Sequence, residues 1–187
     1  MPTPLDGRRI ALVATDGFEQ AELETPRDVL REAGAKVDVI SLKKDPIQGL
    51  HHLEKGQTVE VDAAIRDIDV VDYDALVIPG GLFNPDQLRI NPDVLDCTRA
   101  FFDACKPVAA ICHGPWVLIN AGVVKGRRMT SVPTIRQDLE NAGAQWVDAE
   151  VVIDRGLVTS RTPDDLDAFC DAIIRVLSED RDERESS

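Results

Sequence analysis

Continuous apolar runs constrain the fold of this chain most. Residues 8–14 (RRIALVA), 36–42 (KVDVISL) and 74–81 (DALVIPGG) are apolar with few interruptions, and so are residues 107–112 (PVAAIC). Strands buried on both faces have this composition, and they occur in parallel sheets whose crossover connections are helices. Because helical segments stand between the runs, we predict an α/β fold with a mainly parallel sheet covered on both faces.

Capping and turn residues suggest where the other elements lie. Thr25 is a candidate N-cap and Pro26 suits a first helical position, so we predict a helix over 25–34 that ends at Gly34. Residues 43–57 are predicted to form a polar loop, and Arg155-Gly156 to turn a hairpin over 150–160. The other predicted helices cover 92–105, 115–122, 134–143 and 163–179.

Length and charge limit the class of protein. The 187 residues suit one domain, with an ordered core over 8–178 and a charged tail over 179–187. The net charge of −13 argues against specific nucleic-acid binding and against anionic membranes. The beginning of the chain lacks a signal-peptide pattern, and no apolar run is long enough to span a bilayer, so we expect a cytoplasmic protein.

Cysteine usage points to a reducing compartment. Cys97, Cys105, Cys112 and Cys170 form no C-x-x-C pair, so we expect neither a disulfide framework nor a zinc site. We expect no cofactor either, since no nucleotide-binding or metalloprotease motif is present. Apart from Cys112, the cysteines have helical spacing and are predicted to be small apolar residues of helices.

Cys112 differs because it ends a buried strand directly before a helix, in AAICHGP (109–115). Backbone N–H groups and the positive end of a helix would stabilise a thiolate there, which predicts a pKa below the free value of about 8.5. Gly114 is small enough for such a sharp elbow. We predict that Cys112 is a nucleophile, the alternative being a core cysteine at a strand end.

A nucleophile needs a base or a charge partner. His113 can serve Cys112 only if the turn brings the two side chains together, or else it acts on the substrate. His51 and His52 are predicted to be solvated loop residues.

Glu19 is the acidic candidate, since it follows the first strand. If burial raises its pKa it could donate a hydrogen bond to the sulfur; the alternative is a surface glutamate, as we expect Glu22 and Glu24 to be.

Five motifs together, TDGFEQAELETP, YDALVIPGG, KPVAAICHGPWVLINAG, LENAG and VTSRTPDDL, resemble the ThiJ/PfpI superfamily. They look closest to its PfpI branch and to the YhbO-type bacterial general stress proteins, over residues 8–178. The resemblance implies a flavodoxin-like three-layer sandwich with a nucleophile elbow. It implies that Cys112 is the nucleophile, His113 its histidine and Glu19 the buried acid that meets the sulfur.

The same resemblance suggests the groups around the substrate. It implies that the backbone at Gly80 and Gly81 forms an oxyanion hole with the His113 N–H, and Gly114 is included as a binding residue. Asp86 matches the acid that orients the histidine from a neighbouring subunit in PfpI-type peptidases. The peptidases have glutamate at that position, and this difference weakens the transfer of the peptidase activity.

The resemblance also implies an activity: a cysteine-dependent hydrolase of small carbonyl adducts, deglycase-like or glyoxalase-like, acting on methylglyoxal or glyoxal products. An intracellular cysteine peptidase and a non-catalytic redox sensor or chaperone that uses Cys112 remain alternatives. The expected partners are a second copy of the chain, as a dimer or higher oligomer, and small carbonyl compounds or glycated amines and thiols.

Overall fold

The computed structural model describes residues 3–185, with side chains described up to residue 179. Its strands are β1 (Arg9–Val13), β2 (Phe18–Glu19), β3 (Lys36–Ser41), β4 (Ile47–His51), β5 (Glu54–Val59), β6 (Ala63–Ala64), β7 (Ala75–Ile78), β8 (Val108–Ile111), β9 (Arg128–Met129), β10 (Gln145–Trp146), β11 (Val151–Asp154) and β12 (Leu157–Ser160). Its α-helices are α1 (Gln20–Glu32), α2 (Phe83–Leu88), α3 (Pro92–Asp103), α4 (Pro115–Ala121), α5 (Arg136–Asn141) and α6 (Leu166–Glu185).

The central sheet has seven strands in the order β11-β12-β8-β7-β1-β3-β6. Every neighbouring pair is parallel except β11 and β12, which form an antiparallel hairpin at one edge. Short sheets of three strands (β2-β4-β5) and two strands (β10-β9) flank it. The prediction of a mainly parallel sheet is confirmed.

Strand β1 shows why the fold has three layers. Ile10 and Leu12 pack into one apolar cluster, whereas Ala11 and Val13 pack into the other, so both faces of the strand are buried. Helices α1 and α6 cover the first face, and α3, α4 and α5 cover the second. This is the flavodoxin-like sandwich that the sequence predicted, because each face of a parallel sheet needs an apolar cover.

Helix α1 begins earlier than predicted. It starts at Gln20, so Thr25 is not its N-cap and Pro26 lies inside it. Proline has no N–H, which leaves the carbonyl of Glu22 without its usual helical donor. The buried side chains of α1 include Glu22, Leu23 and Leu30, and their packing against the sheet outweighs the preference of proline for a first turn.

The segment 43–57 is not a loop, as the sequence predicted. It contains β4 and most of β5, which pair as an antiparallel hairpin with a bulge between Gln48 and Leu50. The hairpin docks on α1, where Gln20 Oε1 accepts a hydrogen bond of 3.0 Å from the Gln57 N–H. This docking sets the hairpin tip at residues 51–53 beside the end of β2.

Two boundaries at the carboxyl end also bear on the predictions. The hairpin over 150–160 is confirmed, with left-handed φ angles of 49° at Arg155 and 81° at Gly156. Helix α6 continues to Glu185, past residue 179, where the sequence predicted its end. Within residues 3–185, no helix has both the length and the apolar character needed to cross a membrane.

Candidate active site

Three strand ends of the sheet meet in one cleft of about 730 Å³. The segment after β1 contributes Glu19 and Glu22, the end of β7 contributes Gly81, and the end of β8 contributes Cys112 and His113. The cleft therefore lies at the carboxyl edge of the sheet, where α/β folds bind their ligands. Its other lining residues are Ala21, His52, Leu53, Leu82, Val132, Thr162, Pro163 and Asp164.

The elbow between β8 and α4 holds Cys112 in a strained conformation, with a φ of 62°. Its N–H donates to the Ser160 carbonyl and its own carbonyl accepts from the Val132 N–H, each at 3.1 Å. These two bonds hold the backbone in a region that few residues other than glycine adopt. The predicted elbow is confirmed.

Gly114 has a packing role rather than the predicted binding role. Its N–H already donates to the Ile111 carbonyl at 2.8 Å. A Cβ at this position would lie 2.8 Å from the Ile78 carbonyl oxygen, so only glycine lets the turn pack against β7.

Glu22 is the acid beside the sulfur, and the prediction that it is a surface residue is wrong. Its side chain is fully buried, and Oε2 accepts a 2.7 Å hydrogen bond from the Gly80 N–H. Burial raises the pKa of this carboxyl to about 8, while the Gly80 N–H and the nearby Cys112 thiol act in the opposite direction. Among the described residues Oε1 has no hydrogen-bond partner, although the carboxyl and the thiol lie close enough to interact.

Glu19 has a different position from the one predicted. Its half-buried side chain lines the cleft, and Oε2 accepts a 3.0 Å hydrogen bond from the His52 N–H at the hairpin tip. The correction follows from the start of α1: Glu19 precedes the helix, whereas Glu22 lies one turn in, on the face that packs on the elbow.

The expected oxyanion hole comprised the backbone at Gly80 and Gly81 and the His113 N–H, and the structure removes the Gly80 N–H from this set. The Gly80 N–H is taken by Glu22, so it is not available to a substrate. The N–H groups of Gly81 and His113 both lower the pKa of Cys112, and the Gly81 N–H also lowers the pKa of Glu22. These two groups can stabilise an oxygen that becomes negative beside Cys112.

The pKa of the Cys112 thiol is shifted in the direction opposite to the predicted one. Burial and the nearby Glu22 carboxyl raise the pKa of Cys112 above that of an ordinary cysteine. The two N–H groups do act in the predicted direction, but α4 is only seven residues long, and burial outweighs them. Resting Cys112 is therefore a thiol that a base must activate.

His113 is placed to be that base. Its Nδ1 lies 3.3 Å from the Cys112 sulfur, so the turn does bring the consecutive side chains together. Burial lowers the pKa of His113, which keeps the ring neutral near pH 7. The Trp116 ring packs edge-on against it at 5.0 Å between centroids and orients it.

The remaining candidates do not meet the cysteine within this chain. Asp86 is exposed in the first turn of α2, and among the described side chains it does not contact His113. A contact across a subunit boundary stays a prediction. His51 and His52 are exposed, as predicted, although His52 also lines the cleft.

The other cysteines differ from Cys112 in that none of them lines the cleft. Burial raises the pKa of Cys170 to about 12 and that of Cys97 to about 11. Cys105 is exposed after the end of α3, with a φ of 54°, so the prediction of a helical apolar residue is wrong there.

Sequence reasoning missed Glu22, the hairpin tip with Leu53, and the segment 162–164. A signal for Glu22 was present: it lies four residues before Pro26 and eight before Leu30, which is the spacing of one buried helical face. Pro26 suits a first helical position, so the sequence predicted a helix that begins after Glu22. No local signal places residues 53 or 164 at the cleft, since both come from segments distant in sequence.

The chain is similar to known proteins over most of its length. Residues 8–176 match the DJ-1/PfpI family. General stress protein 18 of Bacillus subtilis is 48% identical over 165 residues, covering 87% of this chain and 94% of that protein. Protein/nucleic acid deglycase 2 of Escherichia coli is 43% identical over 171 residues, covering 91% of this chain and 98% of that protein.

A solved structure shows the same fold. The crystal structure of Drosophila melanogaster DJ-1beta has a TM-score of 0.84 and 30% sequence identity. The match covers 91% of this chain and 90% of that one.

Proposed function

Because this chain belongs to the DJ-1/PfpI family, we propose that it is a cysteine-dependent stress-response hydrolase acting on small carbonyl adducts. The substrates we propose are the products that methylglyoxal or glyoxal form with amines and thiols, as in a deglycase or glyoxalase. The names of relatives, a general stress protein and a protein/nucleic acid deglycase, support this class of activity.

The observation that carries the proposal is the grouping of an acid, a thiol and a base at the cleft floor. Glu22, with its pKa raised to about 8, holds a proton at neutral pH. Cys112 lies between this acid and the neutral His113 ring, whose Nδ1 is 3.3 Å from the sulfur. A nucleophile with a proton donor and a proton acceptor suits addition and elimination at a carbonyl carbon.

The reaction balances without an external oxidant. His113 takes the thiol proton as the Cys112 sulfur bonds to the aldehyde-level carbon of the adduct. The amine or thiol leaves with a proton supplied by Glu22. The oxygen on that carbon accepts from the Gly81 and His113 N–H groups.

The hydrogen on the attacked carbon then moves as a proton to the neighbouring carbon, and the hydroxyl proton of the attacked carbon moves to the ketone oxygen. The first carbon is thereby oxidised to a thioester and the adjacent ketone is reduced to an alcohol. Water hydrolyses the thioester, which releases lactate from a methylglyoxal adduct and restores the thiol.

Lactate formation tests the proposal, because adducts also dissociate spontaneously and their disappearance is not diagnostic. Methylglyoxal pre-equilibrated with N-acetyllysine or N-acetylcysteine is the substrate. We expect Cys112→Ala to reduce lactate formation at least about a hundredfold. Cys105→Ala is the matched control, since it removes an exposed thiol outside the cleft and should retain the rate.

Parallel assays of casein hydrolysis and of assisted refolding distinguish the alternatives. Cys112-dependent casein hydrolysis without lactate formation would select a peptidase. An effect on refolding with no turnover of either substrate would select the sensor or chaperone.

We also propose that the protein acts in the cytoplasm as a homodimer or higher oligomer. All four cysteines are free, which suits a reducing compartment. Oligomer formation would bring a second copy near α2, where Asp86 and the exposed Phe83 and Ile90 lie.

A further inference from the structure

Three acidic side chains line the cleft, and the one at the floor, Glu22, keeps its proton at neutral pH. They are Glu19, Glu22 and Asp164, and among the described residues no lysine or arginine lines it. The two histidines of the lining are His52 at the mouth and His113 at the floor. A substrate entering this cleft therefore meets negative charge without a compensating cation.

We infer that this acidic lining selects substrates whose amine or thiol portion is positively charged, and that Glu19 and Asp164 are specificity-determining residues. The inference rests on the proposed function for the identity of the reaction. The charge preference of the cleft itself can be measured without turnover.

Asp164 is available to a substrate because the nearby arginine is engaged elsewhere. Arg161 binds Asp165 through Nε at 2.8 Å and Asp148 through Nη1 at 2.7 Å. Asp165 is buried by this pairing, whereas Asp164 is exposed and faces the cleft.

Among the residues that the structure describes, no cation pairs with Glu19 either. Its carboxylate accepts only from a backbone group, the His52 N–H at 3.0 Å, which leaves its charge in place. At the floor, the fully buried Glu22 lines the same cleft with an oxygen, Oε1, that has no hydrogen-bond partner. The acidic groups thus come from two separate segments, and the one at the floor has an unused polar atom.

The size of the effect follows from Coulomb's law. A carboxylate about 7 Å from a substrate charge, in surroundings between those of protein and water, changes binding by roughly three- to tenfold. Two such groups should separate a cationic from an anionic substrate by at least about tenfold.

Charged thiol reagents measure this preference directly. The trimethylammonium-ethyl and sulfonato-ethyl methanethiosulfonates have the same reactive sulfur and opposite charges. A thiolate attacks that sulfur, forms a mixed disulfide and releases methanesulfinate. Rates at Cys112 and at the exposed Cys105 are followed separately by mass spectrometry, with 2-mercaptoethanol as the free-thiol reference.

We expect the cation-to-anion rate ratio at Cys112 to exceed that of 2-mercaptoethanol by about tenfold. It should also exceed the ratio at Cys105, which reports the general field of a chain with net charge −13. Asp164→Asn and Glu19→Gln should each reduce the Cys112 ratio about threefold, and about 0.5 M salt should compress it.

Asp171→Asn is the matched control, because it removes one exposed carboxylate from α6, outside the cleft. A Cys112 ratio equal to that of Cys105 would overturn the inference. So would equal effects of Asp164→Asn and Asp171→Asn.

A second series tests the inference in turnover. Thiocholine, 2-mercaptoethanol and 3-mercaptopropionate differ chiefly in terminal charge, and each forms a hemithioacetal with methylglyoxal. Lactate should form fastest from the thiocholine adduct and slowest from the mercaptopropionate adduct. Equal rates would overturn the inference and leave the proposed function intact. Absence of lactate from all three would instead overturn the proposed function, with the reagent ratios still deciding the inference.

Discussion

Glu22 and Cys112 are best understood as one titrating pair. Glu22 is buried and Cys112 is half-buried, and the negative charge of Glu22 opposes ionisation of the thiol. The 2.7 Å bond from Gly80 holds the carboxyl in place, and a Cβ on Gly80 would lie 2.7 Å from the Cys112 Cβ. The close approach of glycine backbone thus lets the acid and the thiol meet.

Glu22→Gln tests the pair directly. The amide can still accept from the Gly80 N–H, but it cannot become negative, so one cause of the raised Cys112 pKa disappears. We expect the Cys112 pKa to fall, as measured by the pH dependence of iodoacetamide labelling at each cysteine. The Cys97 profile should not change. A rise in the Cys112 pKa would mean that Glu22 acts mainly as a protonated donor that stabilises the thiolate.

The same carboxyl makes folding stability depend on pH. Its pKa rises from 4.5 to about 8 on folding, so the folded state retains a proton that the unfolded state releases. The stability is fully present below about pH 4.5 and is lost as the pH rises through about 8, a change of roughly 3–5 kcal/mol.

Urea unfolding at about pH 6 and about pH 8.5 should show this loss in the wild type and a smaller one in Glu22→Gln. His113 opposes the trend below its usual pKa of 6.5, but it is present in both proteins and cancels in the comparison. Equal pH dependence in the two proteins would contradict the assignment.

At the scale of elements, the tip of the β4–β5 hairpin covers part of the cleft. Its base is tied to α1 by Gln20, and its tip is tied by the bond from His52 to Glu19. Leu53, which is 88% exposed, lies at that tip and lines the cleft. The position of the hairpin tip therefore depends on close packing between the hairpin and the start of α1.

Gly49→Ala should displace the hairpin. Its Cβ would overlap Oε1 of Gln20 and lie 2.9 Å from Cζ of Phe18, so either β4 or the Gln20 side chain that holds the hairpin must shift. We expect faster hydrogen exchange over 47–59 and a roughly tenfold loss of kcat/KM, with the Cys112 pKa unchanged.

Gly126→Ala is the control for general destabilisation. Gly126 has a φ of 74°, and nothing lies within 4 Å of the added Cβ, so only backbone strain results. A similar loss of kcat/KM in both variants would show that the hairpin has no particular role.

At the scale of the whole molecule, the completeness of the site depends on what surrounds His113. His113 has the Cys112 sulfur and the Trp116 ring as neighbours, and no acid of the described chain is hydrogen-bonded to its ring. Asp86 is exposed close to the cleft edge, on a helix that also exposes Phe83 to 51%. A second copy docked there could supply the acid.

Subunit complementation tests that arrangement. Cys112→Ala should be inactive, and Asp86→Asn should lose most activity if its carboxylate orients a histidine of the neighbouring copy. Mixing the two variants under subunit exchange should then restore up to about a quarter to a half of the wild-type activity per site, because hybrid oligomers pair an intact Cys112 with an intact Asp86. Activity of Asp86→Asn equal to the wild type would remove the acid from the mechanism.

Much of the fold was predictable because its signals are local. The continuous apolar runs of β1, β7 and β8 predicted a parallel sheet buried on both faces, and the structure confirms it. The elbow at Cys112 was predictable for the same reason, since a strand, a small turn and a helix follow one another directly.

The acid beside the sulfur was decided only by tertiary structure. Glu19 and Glu22 differ by three residues and look alike as sequence, but the start of α1 at Gln20 turns one to the cleft mouth and buries the other. The thiol pKa was decided in the same way, because burial and a second charge depend on which chain segments pack around Cys112. The sequence by itself determined the layers and the elbow, which follow from neighbouring residues. Only the packing of distant segments decided which carboxyls surround the sulfur, since electrostatic energies depend on distance and solvent exclusion rather than on order along the chain.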